Sequence, residues 1–102
     1  MSRASHDVRL LRPAEDDLTE NVLYVAADRR EAAAKLADRF DQKLNLLATN
    51  PHLGAIPKED SLVLLGYRYL VVENYLVFYV VEAQTIYVHR IIHGAIDYTP
   101  LI

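Results

Sequence analysis

The side chains best suited to binding anions or moving protons come late in this 102-residue sequence, and the charges around them limit what they can do. Residues 51–102 hold three basic side chains (Lys58, Arg68, Arg90) against five acidic ones (Glu59, Asp60, Glu73, Glu82, Asp97). A nucleic-acid backbone is gripped by clustered Lys and Arg, whose charge neutralises phosphate. This half of the chain is poorly equipped for that. His89 and His93 are four apart on a run with strand character, so they share a face but stand roughly 13 Å from each other, too far for one metal ion. The sequence contains no glycine-rich phosphate loop, no nucleophile elbow and no paired-carboxylate motif. With no cysteine, neither a disulfide framework nor a thiolate zinc site can form. No metal and no cofactor is therefore expected. Asp16 and Asp17 are adjacent, and negative charge at a helix start explains them. Lys35, Arg39 and Lys43 form a basic stripe at four-residue spacing, either a solvated helix face or a docking surface for an acidic partner.

The elements that must position these residues are legible from periodicity. Residues 7–12 carry Val8, Leu10 and Leu11, a short first strand. Pro13 suits the first turn of a helix, where its missing N–H costs nothing. Leu18, Val22 and Val25 continue that helix to about residue 27. Asp28 is placed to cap a second helix, with Glu31 completing a capping box. Ala33, Leu36, Ala37, Phe40, Leu44, Leu47 and Ala48 then form one apolar stripe, and Asn50-Pro51 ends the helix. Residues 51–66 read as a loop, with Pro51, Gly54, Pro57 and Gly66 and a charged Lys58-Glu59-Asp60 tip. Three strands follow at 67–72, 75–81 and 85–92, rich in Val, Ile, Tyr and Phe and joined by very short turns, so they pair as antiparallel hairpins. The middle one is apolar on both faces and should be the most buried. The expected fold is α+β: an N-terminal strand, an antiparallel helical hairpin, then a three-stranded antiparallel sheet with the hairpin packed on one face.

The size suits a single domain spanning residues 1–102. Apolar content of 52% and charged content of 25% are those of a folded chain, not a disordered one. The longest apolar run, 75–81, falls far short of the roughly 20 residues that cross a bilayer. The opening stretch, with Arg3, His6 and Asp7, has no apolar leader core before Val8. The expected location is the cytoplasm, with no membrane partner.

Four stretches are similar to the RelE/ParE family of toxins: Pro13-Ala-Glu-Asp-Asp-Leu18, Leu47-Ala-Thr-Asn-Pro-His-Leu-Gly54, Tyr67-Arg-Tyr-Leu-Val-Val-Glu-Asn-Tyr-Leu-Val-Phe-Tyr79 and Val88-His-Arg-Ile-Ile-His-Gly-Ala-Ile-Asp-Tyr98. The third and fourth carry most of the resemblance, which covers nearly the whole chain. It implies the toxin of a type II, plasmid-stabilisation type toxin–antitoxin system with a cognate antitoxin as partner. The family's poisons differ. RelE-like and YoeB-like members cleave mRNA on the ribosome, whereas ParE-like members inhibit DNA gyrase.

The resemblance can be tested residue by residue. RNA cleavage without a metal needs a base, an acid and cations around the phosphorane. RelE-like enzymes place an arginine in the central strand, within Tyr-Arg-Leu-Val-Tyr. The matching stretch here is Tyr75-Leu76-Val77-Phe78-Tyr79, with Leu76 at the arginine's position. The basic residues that follow a glycine after the last strand are replaced by Ala95, Ile96 and Asp97 after Gly94. What remains for a ribonuclease is Arg68, Arg90, His93 and Tyr98, the last two loosely similar to the acid/base pair of YoeB-like enzymes. Each has a bland alternative. His93 can bond to backbone at a strand end, and Tyr98 can pack the C-terminal tail. Strict alternation puts Arg90 on one face with Ile86, Val88 and Ile92, half-buried and paired with Glu73 or Asp97, and puts Arg68 with Leu70 and Val72.

A ParE-like toxin that grips a protein such as DNA gyrase is the favoured expectation. The alternatives are a diverged mRNA endoribonuclease working on the ribosome, and a non-toxic binding partner of an antitoxin. In the favoured reading Lys35, Arg39 and Lys43 are the antitoxin-binding residues.

Overall fold

Three late runs of alternating apolar residues pair into a sheet, and the first strand joins them from the other end of the chain. The computed structural model describes residues 5–102. Residues 1–4, the beginning of the stretch without a leader core, lie outside the described residues. The order is β1 (Asp7–Leu10), α1 (Arg12–Ala26), α2 (Arg30–Thr49), α3 (Asp60–Leu64), β2 (Tyr67–Val72), β3 (Tyr75–Glu82), β4 (Thr85–His93) and a 3₁₀ turn at Thr99–Leu101. The α+β architecture is as expected, and the sheet is larger by one strand. β1 pairs in parallel with β4, giving a four-stranded mixed sheet in the order β1-β4-β3-β2. No helix among the described residues is long and apolar enough to cross a membrane.

The two hairpins turn through two residues each, Glu73-Asn74 and Ala83-Gln84, with Glu73 at φ 54° and Ala83 at φ 52°. Two-residue hairpin turns demand positive φ because that twist matches the flanking strands. Burial follows from position in the sheet. Val77, Phe78 and Tyr79 of β3 are buried on alternate faces. Val77 and Tyr79 join a core with Phe40 and Leu47 of α2, Ala14 of α1, Leu70, Val72, Ile86, Val88 and Ile91. Phe78 joins Leu62 and Ile92 on the far face.

Three local expectations change. Asp28 does not cap the second helix. The N–H groups of both Asp28 and Arg29 donate to the Val25 carbonyl, so Asp28 still belongs to the end of α1. Arg29 takes the N-cap position with no side-chain cap. The expected loop 51–66 contains α3, which buries Leu62 on the far face of the sheet and leaves Leu64 87% exposed. Gly66, at φ 84°, ends it in the left-handed conformation that glycine tolerates best.

The third change decides where Arg90 points. Arg90 lies opposite Phe78 but Val88 lies opposite Tyr79, so His89 is an extra residue and β4 bulges there. A bulge shifts the alternation by one. Ile86 and Val88 face the helices before it and Ile91 after it, whereas Arg90 and Ile92 fall on the far side. Arg90 thus shares a face with Ile92 but not with Ile86 or Val88, as strict alternation had suggested.

The loop after α2 is tied to the sheet by a buried phenol. The Gly54 N–H donates to Tyr79 Oη at 2.9 Å, and that hydroxyl donates to the Pro51 carbonyl at 2.9 Å. Burial raises the Tyr79 pKa above the ordinary tyrosine value. Arg68 Nη1 donates to the Gly54 carbonyl at 3.0 Å, so the sheet satisfies both backbone groups of Gly54. A Cβ at Gly54 would sit 2.7 Å from the Tyr69 carbonyl oxygen and 2.7 Å from Tyr79 Oη, which is why only glycine fits. Ala55 and Tyr69 then bridge in antiparallel fashion across the outer edge of β2. Tyr79→Phe should lower the unfolding free energy by about 2 kcal/mol, since it leaves the buried Gly54 N–H without a partner. Gly54→Ala should cost about 3 kcal/mol through overpacking against backbone. Urea unfolding measures both, and changes below about 0.5 kcal/mol would show that this anchor is unimportant.

Candidate functional site

The first candidate constellation, Arg68, Arg90, His93 and Tyr98, does not converge on one point. Arg68 lies opposite Tyr79 on the helix-facing side, with its guanidinium on Gly54. His93 Nδ1 accepts the Ala95 N–H at 3.1 Å, and its ring meets Tyr75 edge-on at 5.4 Å. Tyr98 packs on the far face, its ring 4.8 Å from Phe78, and donates its hydroxyl to the Glu59 carboxylate at 2.9 and 3.0 Å. Burial, and then the hydrogen bond to Glu59, raise the Tyr98 pKa. Leu76, where RelE-like enzymes hold an arginine, packs against the Leu62, Phe78 and Ile92 cluster.

Arg90 is paired with a carboxylate, but the partner is Asp17 and neither Glu73 nor Asp97. β1 pairs with β4 only as far as Val88, so beyond that point the edge of β4 meets α1 instead of a strand. There Asp17 accepts three hydrogen bonds: Arg90 Nε at 2.7 Å, Arg90 Nη2 at 3.0 Å and the Ile91 N–H at 2.9 Å. The two side chains are 26% and 14% exposed. Asp17 thus completes the sheet edge and neutralises the arginine; helix-start charge does not describe it. Asp16 is the solvated member of the pair, 3.6 Å from Arg12. The hydrogen bond that Arg90 donates to Asp17 is also the chief reason the Arg90 pKa rises. Nothing in the Asp16-Asp17 repeat marks which aspartate turns inward, so sequence reasoning missed the pair.

A second arrangement lies between the helices and the β2–β3 turn. Val25, Ala32, Leu36 and Tyr75 form the apolar part of a groove of about 500 Å³. Arg29, Lys35 and Arg39 stand around it with Glu73, three cations to one carboxylate. Arg39 and Glu73 are 3.6 Å apart and both well exposed, a pairing that solvent weakens. Two of the three stripe residues are therefore in the groove. Lys43, further along α2, is half-buried and is not among its lining residues. Arg29 was missed by sequence reasoning because it sits in the helix junction, outside the four-residue spacing. A groove with an apolar floor and cationic walls suits a peptide segment that carries both apolar and acidic side chains.

His89, the bulged residue, makes its own pair on the far face. Its Nδ1 lies 3.0 Å from Tyr67 Oη, and the rings meet edge-on at 5.0 Å. Burial holds the imidazole below the ordinary histidine value, with Glu82 opposing.

The model of the ParE toxin of the type II toxin–antitoxin system parDE matches residues 8–98. No curated protein sequence matches the chain. Among solved structures, a chain of the chromosomal ParDE TA system from P. aeruginosa is 19% identical, superposes with a TM-score of 0.72, and is matched over 89% of this chain and 98% of that one. That likeness shows a shared fold.

Asp17→Ala should destabilise the fold by about 3 kcal/mol, because it strands a half-buried guanidinium and an edge N–H together. Arg90→Lys should recover little, since an ammonium cannot reproduce the two-pronged contact. Chemical denaturation of the three proteins decides this, and a loss below about 1 kcal/mol for Asp17→Ala would contradict it. For His89, the folded state favours neutral imidazole, so just below the ordinary value of about 6.5 the unfolded chain binds the extra proton. Stability from this group is complete above that pH and is lost as pH falls toward the folded value. The imidazole should titrate by NMR with a midpoint below about 6.5, and a midpoint at or above it would refute the assignment.

Proposed function

The chain belongs to the ParE toxin family of type II toxin–antitoxin systems, and on that premise we propose that it acts in the cytoplasm by binding a protein target such as DNA gyrase and is neutralised by a cognate antitoxin. One observation carries this reading. The two arginines of the C-terminal half, Arg68 and Arg90, are bonded within the fold, to Gly54, and to Asp17 and Leu101. Cations held in that way are poorly placed to stabilise the phosphorane of RNA cleavage, a task that needs donors aimed at the developing charge. Leu76 adds an apolar side chain where RelE-like enzymes use an arginine. A toxin with this surface harms by occupying a protein.

The groove lined by Arg29, Lys35 and Arg39 is the proposed antitoxin site, with Lys43 contributing charge at its margin. Purified protein should inhibit supercoiling by gyrase while leaving mRNA on translating ribosomes intact. Paired reversals Lys35→Glu and Arg39→Glu should weaken antitoxin binding by about a hundredfold or more and leave the fold unchanged. Ribosome-dependent mRNA cuts that vanish on changing Arg90 or His93 would instead establish the ribonuclease reading. Absence of growth arrest on overexpression without antitoxin would establish the non-toxic binding partner.

A further inference from the structure

The far face of the sheet, opposite the helical hairpin, is closed by very little chain. α3 supplies Leu62, and the C-terminal residues supply Tyr98 and Ile102, to the cluster around Phe78 and Ile92. The C-terminal segment leaves β4 at Gly94, whose N–H donates to the Asn74 carbonyl at 2.8 Å. It turns at once, with the Ile96 N–H on the His93 carbonyl at 3.0 Å. Beyond that point, among the described residues, two polar ties reach the rest of the molecule. Tyr98 donates to Glu59, and Arg90 Nη1 donates to the Leu101 carbonyl at 3.1 Å. At the turn itself the Ala95 N–H also donates to His93 Nδ1 at 3.1 Å, and past Ile96 the other hydrogen bonds are internal: Thr99 N–H to Asp97 at 3.2 Å and Leu101 N–H to the Tyr98 carbonyl at 2.8 Å. Its own apolar residues Ile96 and Leu101 face water, while Phe78 beneath it is fully buried.

The geometry points to residues 95–102 acting as a strap that opens as a unit about Gly94 while the rest of the fold stays closed. Arg90 is the positioning residue that clasps its end. The clasp is set by Asp17, because the carboxylate of α1 holds Nε and Nη2 so that Nη1 faces the Leu101 carbonyl. One guanidinium therefore joins α1 to the strap, so that a shift of α1 loosens the strap through Arg90. A unit held by few long-range bonds opens more readily than the core it covers. Opening uncovers Phe78 and Ile92, an aromatic and aliphatic surface that is otherwise shut from water. Tyr98 is the second fastening, and its ring and hydroxyl contribute separately.

Hydrogen exchange on the full-length chain tests this, with the segment 95–102 compared against Val77 and Ile91 in the sheet. In the unchanged protein, 95–102 should exchange more slowly than an unstructured peptide but on the order of a hundredfold faster than the sheet, and low urea should not affect its rate. Tyr98→Phe keeps the ring and removes the hydroxyl, and should speed exchange of 95–102 about five- to tenfold while leaving β3 unchanged. Asp17→Asn should speed exchange of 95–102 by a larger factor than that of the sheet, acting through the clasp. Exchange of 95–102 at the rate and urea dependence of the sheet overturns the proposal. So does exchange as fast as an unstructured peptide, or a rate indifferent to Tyr98→Phe. Where Asp17→Asn loosens the whole fold, Tyr98→Phe alone decides.

Discussion

Asp17 sits where three parts of the molecule come together, and most of the architecture around the sheet follows from what its carboxylate does. β1 is only four residues long, so the second half of β4 runs on with its outer N–H groups turned toward α1. A backbone donor left there without a partner is costly. Asp17 accepts the Ile91 N–H and, with the same two oxygens, holds Arg90 in a bidentate contact. Each group alone would be a liability at that depth, since a half-buried charge needs a counter-charge and hydrogen bonds together. The junction lets a short strand suffice and fixes the approach of α1 to the sheet.

The bulge at His89 is the companion device. By adding one residue to β4 it turns Arg90 away from the side that holds Ile86 and Val88, and brings Ile91 into the helix-facing core in its stead. Were His89 paired in regular alternation instead, a charged side chain would occupy the position that Ile91 fills. The arginines of β2 and β4 thereby serve the fold: Arg68 fastens the loop after α2, and Arg90 fastens α1 and the C-terminal end. Exposed positive charge stands at the start of α2 and along it, at Arg29, Lys35 and Arg39, over an apolar floor. The distribution separates arginines bonded within the sheet's surroundings from cations that stand in solvent beside the groove.

Much of this was legible in the residues. The apolar stripe Leu36, Phe40, Leu47 and the runs of β-branched and aromatic residues specify helix and strand by period alone, and all of those stripe positions are buried. The two-residue turns also announce themselves by their brevity. What escaped were features set by long-range geometry. The parallel pairing of β1 with β4 joins residues far apart in the chain, with no local mark of it. The bulge inverts alternation without any glycine to flag it. α3 is too short for a period to show. At the candidate site, the groove's Lys35 and Arg39 came from helical spacing, whereas Arg29 and the inward turn of Asp17 depend on how the helices meet and on where β1 ends.

The bridge between Ala55 and Tyr69 has a consequence for the molecule in a crowded cell. A sheet with a strongly apolar central strand is hazardous if its outermost strand can recruit a neighbour, because unsatisfied backbone groups template cross-chain zipping. Here the loop fastened by Tyr79 and Arg68 lies along β2 and takes the N–H and C=O of Tyr69 for itself. The middle of the β2 edge is thereby closed to a neighbouring strand. A loop of irregular backbone thus blunts the exposed margin of the sheet, and it does so without covering the groove beside α2.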